Sequence, residues 1–448
     1  MENAIKDWRG RAYVPGPVPA DRTRMFWLAW AAMAAISPLQ YGYAALLAQQ
    51  AAGLTLLAVW IACQAAGALP ALHLVRHGRL SVRAALFGGA ALSGLGLFTA
   101  ALTTPGLIAG SAGLVAFVGY ALLGGLGAGL VYGVCGEVVS SWYPERPAAR
   151  VGLITGAFGY GAVPLLVWAG IAPGATSAAF LVAAVVAVAV IGAAARHLRL
   201  PPALWWPEDV DPRTHALDAA RLRVTPDAAR QFLLPQALRT RTLPALALIL
   251  TCAGAVSVFD VIVVASTGSW AAVALLVALN GTSRSLAMRY SELFGRRRVL
   301  AAVLGALALG QILLAAAALD AAPPATGPLS AAVPAGLATE GVVAPGTGWT
   351  GSGVLLWLGV IAAGVGGGAF YPLLASLVRE FFGVERAGDI HAVVYSAKAL
   401  AGVGAVALAL LALTTPATAL LVATTLAALP ALATPRLRIP GLPTTIPV

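Results

Sequence analysis

Apolar residues in this chain come in long blocks. Twelve blocks run approximately over 25–48, 53–75, 81–104, 108–141, 148–170, 175–195, 243–265, 268–292, 298–319, 353–379, 389–413 and 416–434. Each is near the roughly 20 residues that an α-helix needs to cross a bilayer core. The pattern therefore predicts an all-α membrane protein of twelve transmembrane helices. The fourth and tenth blocks are long and are expected to tilt or to project past the membrane. Trp27, Trp30, Trp270 and Trp357 fall near predicted ends, where interfacial aromatics collect.

Three polar stretches interrupt the pattern. Residues 1–24 form a tail. Residues 196–242 form an Arg-rich linker with an acidic patch at Glu208, Asp209 and Asp211. Residues 320–352 are rich in Ala, Gly, Pro and Thr and hold Asp320 and Glu340 but no Lys or Arg. The linker divides the chain into two six-helix bundles, 25–195 and 243–434, followed by a second tail at 435–448.

Composition agrees with this picture. Of 448 residues, 60% are hydrophobic and 10% charged, where a soluble protein carries about 25% charged. Mean hydropathy is +0.87. A soluble enzyme, a disordered chain and a secreted disulfide scaffold are excluded. The net charge of +11 does not imply a nucleic-acid partner, because the basic residues sit between apolar runs and not on a separate domain. Cys63, Cys135 and Cys252 fall inside apolar stretches without metal-ligand spacing. The polar start lacks the layout of a signal peptide. No metal or cofactor is expected.

Charge does orient the chain. The 28 Lys and Arg fall almost entirely on the tail side of the predicted helices, among them Arg76, Arg79 and Arg83, Arg146 and Arg150, eight in the linker, and Arg296 to Arg298. Loops on the opposite side hold none. By the positive-inside tendency both termini lie in the cytoplasm, as a multi-pass protein of the cell's inner (plasma) membrane.

The two halves also resemble each other. GGLGAGLVYGVCGEVVSSWYPER at 124–146 matches GGGAFYPLLASLVREFFGVER at 366–386, with Glu145-Arg146 opposite Glu385-Arg386 at an offset of 240. A weaker echo relates His77-Gly78-Arg79 to Phe294-Gly295-Arg296 at an offset of 217. Parallel six-helix repeats are a known transporter design, with the substrate site between the halves near the midplane.

Four charges stand where a membrane disfavours them: Glu137, Asp260, Arg284 and Lys398. Arg284 lies twelve positions before Arg296, and Lys398 twelve after Arg386, each roughly 18 Å along its helix. The two cations thus share a depth near mid-membrane. Glu137 is about one turn inside the end of the fourth helix and Asp260 is near the outer end of the seventh, so neither is placed to neutralise them. Two buried cations without fixed acidic partners repel each other and lose hydration. An anion between them relieves both costs. Arg can grip a carboxylate bidentately, while Lys acts as a point charge.

These residues carry a family resemblance. SPLQYGY (37–43), GLVYGVCGEVVSSWYPERPAARVGLITGAFGYGAVP (129–164), LNGTSR (279–284), GGGAFYPLLASLVREFFG (366–383) and VVYSAKALAGVGA (393–405) look like the major facilitator superfamily. Within it they resemble the prokaryotic oxalate/formate antiporter (OFA) family. The resemblance implies two pseudo-symmetric six-helix bundles, exchange of small carboxylates, and dicarboxylate binding by Arg284 and Lys398. It also implies a cavity lined by Gln40, Tyr41, Tyr132, Tyr160 and Tyr371. There are departures. The superfamily's loop motif Gly-x-x-x-Asp-Arg-x-Gly-Arg-Arg reads MRYSELFGRR at 288–297, with Met288 for Gly, Glu292 for Asp and Leu293 for Arg.

The expected function is secondary active transport of small organic anions, acting as a monomer in a lipid bilayer. A second transport reading is proton-coupled movement of a monocarboxylate or amphipathic compound, with Glu137, Asp260 or His391 taking the proton. A reading from another class is a membrane receptor that keeps a transporter fold. No Ser/His/Asp set or paired midplane carboxylates favour an enzyme.

Overall fold

The computed structural model describes residues 4–7, 12–49, 51–103, 111–215, 228, 231–320, 353–383 and 387–441. Most of the 320–352 loop, and the Glu385-Arg386 half of the repeat match, lie outside them.

Among the described residues eleven helices are long and apolar enough to cross a membrane. They supply spans 2 to 12: Ala51–Arg76, Val82–Leu102, Gly113–Trp142, Pro147–Ile171, Pro173–His197, Thr242–Ala265, Trp270–Phe294, Arg296–Asp320, Val354–Phe382, Ala387–Thr414 and Pro416–Arg436. Span 1 is the twelfth. It runs as Arg22–Ala35, a π-helical turn at Pro38–Gly42 and a last turn at Tyr43–Leu46. Helical pairing satisfies most backbone groups within each span, the condition for crossing hydrocarbon.

Three spans are irregular where the sequence placed candidate chemistry. The π turn of span 1 carries Gln40 and Tyr41. Span 5 breaks between Tyr160 and Val163, just ahead of Pro164, whose ring cannot continue a regular ladder. Span 11 breaks at Ala397, directly before Lys398. Such interruptions recur at functional positions in membrane transport folds.

The halves join along two seams. Span 8 packs on span 5, and span 11 packs on span 2, the arrangement that a twofold relation between the bundles generates. Glycine makes the first seam close. A Cβ on Gly281 would overlap Tyr160 and the Gly156 carbonyl, and one on Gly159 would overlap Gly281. Small residues at helix crossings let backbones approach and gain van der Waals contact. The repeat shows again in two turns: Gly78 and Gly295 both take left-handed backbone, at φ 68° and 88°, and close the 2–3 and 8–9 connections.

The tail and the linker, read in sequence as a polar tail and a charged loop, pair with each other. β1 (Ile5–Lys6), β2 (Ala12–Gly16) and β3 (Trp205–Pro207) form one three-stranded sheet. β1 and β2 are antiparallel, and β2 and β3 are parallel with Val14 opposite Trp205. Aromatics drive this. Tyr13 meets Trp206 edge to face at 4.8 Å, and Trp205 meets Trp142 of span 4 at 4.9 Å. Arg22 stacks 4.0 Å over Tyr143 and bonds Glu145 at 2.6 Å. The sheet therefore caps the end of the first bundle.

Candidate functional site

A cavity of about 400 Å³ lies between the bundles. Its mouth is at the tail-side end, where Arg76, Glu137, Arg379 and His391 line it. Tyr132, Tyr371 and Tyr395 line it deeper. Tyr132 stacks on Tyr395 at 5.5 Å and meets Phe158 edge to face at 5.6 Å. These rings come from both bundles, so the deep end is a joint aromatic floor.

Arg284 and Lys398 sit behind that floor. They are 1% and 2% exposed and are not part of the cavity wall. The sequence reading set an anion between them; in this structure aromatic rings separate both from the cavity. Both face the same rings. The Arg284 guanidinium carbon lies 5.9 Å from the Phe158 centroid and 5.2 Å from that of Tyr371. The Lys398 Nζ lies 5.4 Å from Phe158, 5.7 Å from Tyr371 and 5.7 Å from Tyr395. Ring faces attract cations at such distances, which offsets part of the lost hydration.

Neutral oxygens complete each shell. Arg284 Nη1 donates to the Thr155 carbonyl at 2.9 Å, and its Nη2 donates to the Tyr41 hydroxyl at 3.0 Å and Asn280 Oδ1 at 2.9 Å. Lys398 Nζ donates to Gln40 Oε1 at 3.0 Å and also to Gln64 Oε1. Among the described residues neither cation is paired with an Asp or Glu. Arg284 Nε and Gln64 Nε2 find no acceptor there. Thus the cations of the second bundle are held mainly by dipoles of the first.

The other expected residues are placed as follows. Gln40 and Tyr41 are shell residues of the cations, and Tyr132 and Tyr371 are in the floor. Tyr160 is elsewhere: its hydroxyl accepts from Trp30 Nε1 at 2.9 Å, and its ring fills the seam against Gly281. Glu137 lines the cavity mouth with both oxygens taken by Arg76, at 3.0 and 2.7 Å. A related pair in the second bundle joins Arg296 to Glu380 at 3.1 Å. Asp260 lies off the cavity, bonded to Gln311. His391 lines the mouth.

Sequence reasoning passed over Gln64, Asn280, Thr155, Phe158 and Tyr395. Two left a signal. Gln64 is an amide inside an apolar span, and Asn280 precedes Arg284 by four residues, one turn on the same helix face. Thr155 acts through its carbonyl, which no side-chain pattern reveals.

The result is a twelve-span fold of two related halves around a central cavity. Solved structures share it. The nucleoside transporter NupG superposes with a TM-score of 0.59 over 93% of this chain and 99% of its own, at 14% identity. A POT family transporter in complex with a thioalcohol-conjugated peptide gives a TM-score of 0.62 over 96% and 98%, at 13% identity. A POT family transporter in complex with 5-aminolevulinic acid gives 0.60 over 92% and 96%, at 11% identity. No family model and no curated protein matches the sequence.

Proposed function

We propose that the protein is a secondary transporter that exchanges small organic anions, carboxylates and in particular dicarboxylates such as oxalate, by alternating access. One observation carries this: two cations, buried behind a shared aromatic floor, bonded to neutral dipoles and, among the described residues, to no acid. Amide and hydroxyl oxygens hold only part of a full counter-charge. A two-headed carboxylate supplies the rest, one end forked on Arg284 and the other on Lys398. To reach them it passes the mouth and displaces the Tyr floor. The protein acts as a monomer in the cell's inner (plasma) membrane, with both termini in the cytoplasm.

Exchange follows from the same electrostatics. An empty carrier must reorient with two uncompensated cations in a low-dielectric interior, whereas a loaded one does not. Efflux from proteoliposomes preloaded with labelled oxalate is therefore expected to require an external carboxylate. Efflux that runs equally fast into anion-free buffer refutes exchange. Arg284→Gln and Lys398→Gln are each expected to weaken binding about tenfold to a hundredfold, the cost of a lost charge-assisted hydrogen bond, while the purified variants still fold. Wild-type uptake in both refutes the site.

A further inference from the structure

A second polar pair is buried in the second bundle, away from the cavity. Asp260 of span 7 is 1% exposed and Gln311 of span 9 is fully buried. Gln311 Nε2 donates to Asp260 Oδ1 at 2.7 Å. The two remaining oxygens, Asp260 Oδ2 and Gln311 Oε1, have no hydrogen-bond partner among the described residues.

Among the described residues no cation pairs with the carboxyl. Of the packed neighbours, span 12 has no titratable side chain within Pro416–Ala433. Span 9 carries Arg296, Arg297, Arg298 and Asp320 only at its ends. Span 11 carries Asp389, His391 and Tyr395 on its first segment, and Lys398 begins its second and is held by Gln40 and Gln64, while the last turn of span 1 carries Tyr43. On span 8, Arg284 is held by Thr155, Tyr41 and Asn280, and Arg289, Tyr290 and Glu292 lie nearer its tail-side end. On span 10, Tyr371 and Arg379 line the cavity and Glu380 pairs with Arg296. Cys252 lies two turns before Asp260 on span 7 itself. An ionised Asp260 would be a bare charge in the membrane interior, which is costly.

One proton removes the difficulty. A carboxylate only accepts hydrogen bonds, but a carboxylic acid also donates one. An acid and a primary amide can share a ring of two hydrogen bonds. The pair already makes one of these, and the two orphaned oxygens are the atoms of the other. We propose that Asp260, with Gln311, is a proton-binding site. The carboxylate takes one solvent proton on Oδ2, which then donates to Gln311 Oε1, and no other bond forms or breaks. A metal ion fits poorly, because hard cations collect about six oxygens and this pair offers two free ones.

The site lies one helical turn from the cations' hydrogen-bond network. Ser257, one turn before Asp260, accepts from Asn280 Nδ2 at 3.1 Å, and Asn280 accepts from Arg284. Releasing the proton would place a negative charge one turn from that chain. The assignment does not depend on what the cations bind.

The test uses the purified full-length protein in lipid. Infrared difference spectra of wild type against Asp260→Asn are expected to show a protonated-carboxyl carbonyl band near neutral pH that shifts in heavy water and is lost in the variant. Asn keeps the ring with Gln311, so Asp260→Asn should melt with the wild type, whereas Gln311→Leu should melt lower. Raising the pH should lower the wild-type melting temperature, because the native state holds the proton, and leave Asp260→Asn unmoved. The proposal is overturned if Asp260→Asn removes no such band. It is equally overturned if sodium, against choline at equal strength, raises the wild-type melting temperature but not that of Asp260→Asn, which would assign a metal ion.

Discussion

Gln64 presents an amide oxygen to Lys398 where an acid would have cancelled the charge. The same restraint holds at Arg284, whose partners are a carbonyl, a phenol and an amide. Placing the missing acid by hand tests what the restraint is for. Gln64→Glu is expected to form a salt bridge with Lys398, leave melting unchanged or higher, and reduce carboxylate uptake at least about tenfold, one lost charge-assisted contact. Full uptake in a folded Gln64→Glu would mean that the ammonium is not an anion ligand. At this scale the sequence was legible for charge and poorly legible for dipoles. Arg284 and Lys398 stand out because ionised side chains are rare at membrane depth. Gln64 and Asn280 cost far less to bury and so draw less notice. Tyr160 turns its ring to Trp30 and the seam, because a tyrosine on a membrane helix serves packing as readily as binding.

At the scale of the helix the decisive feature is the seam of spans 5 and 8, where Gly156, Gly159 and Gly281 bring two backbones together. A side chain there has nowhere to go without parting the helices. Gly281→Val is expected to destabilise by about 1–3 kcal/mol, the usual cost of overpacking, seen as a lower melting temperature in detergent. Because Thr155 and Arg284 meet across this seam, uptake should fall with it, and a melting curve and uptake both like wild type would show that the seam tolerates separation. Helices were the most legible level, since a run of about 20 apolar residues has few other uses. Their interruptions were less so. The π turn at Pro38–Gly42 and the break at Ala397 leave no mark in a linear hydropathy pattern.

Across the whole molecule, two bundles share a cavity while one bundle wears a cap made from the tail and the linker. The cap has an acid-sensitive clasp. Arg199 donates to both Asp21 oxygens at 2.8 Å, and those hydrogen bonds hold the Asp21 carboxyl below its ordinary range. A lowered carboxyl contributes stability above the ordinary carboxylate range and loses it as pH falls. The pair is partly exposed, so its worth is under about 1 kcal/mol. Protease nicking of the tail is expected to speed up on acidification, and Asp21→Asn should nick at neutral pH as wild type does in acid. Identical nicking at both pH values would show that the clasp does not hold the cap. The two bundles were legible from the repeat and the linker, but the sheet was not. Its strands are two, five and three residues long, too short for periodicity to register.

The pairing of Val14 with Trp205 joins points about 190 residues apart. During biosynthesis the early strand leaves the ribosome long before its mate exists. It must wait unpaired at the membrane surface while six helices are threaded into the bilayer. Only a nascent chain that has delivered the whole first half can fasten its own beginning, so a fastened N-terminus reports that insertion of that half is finished.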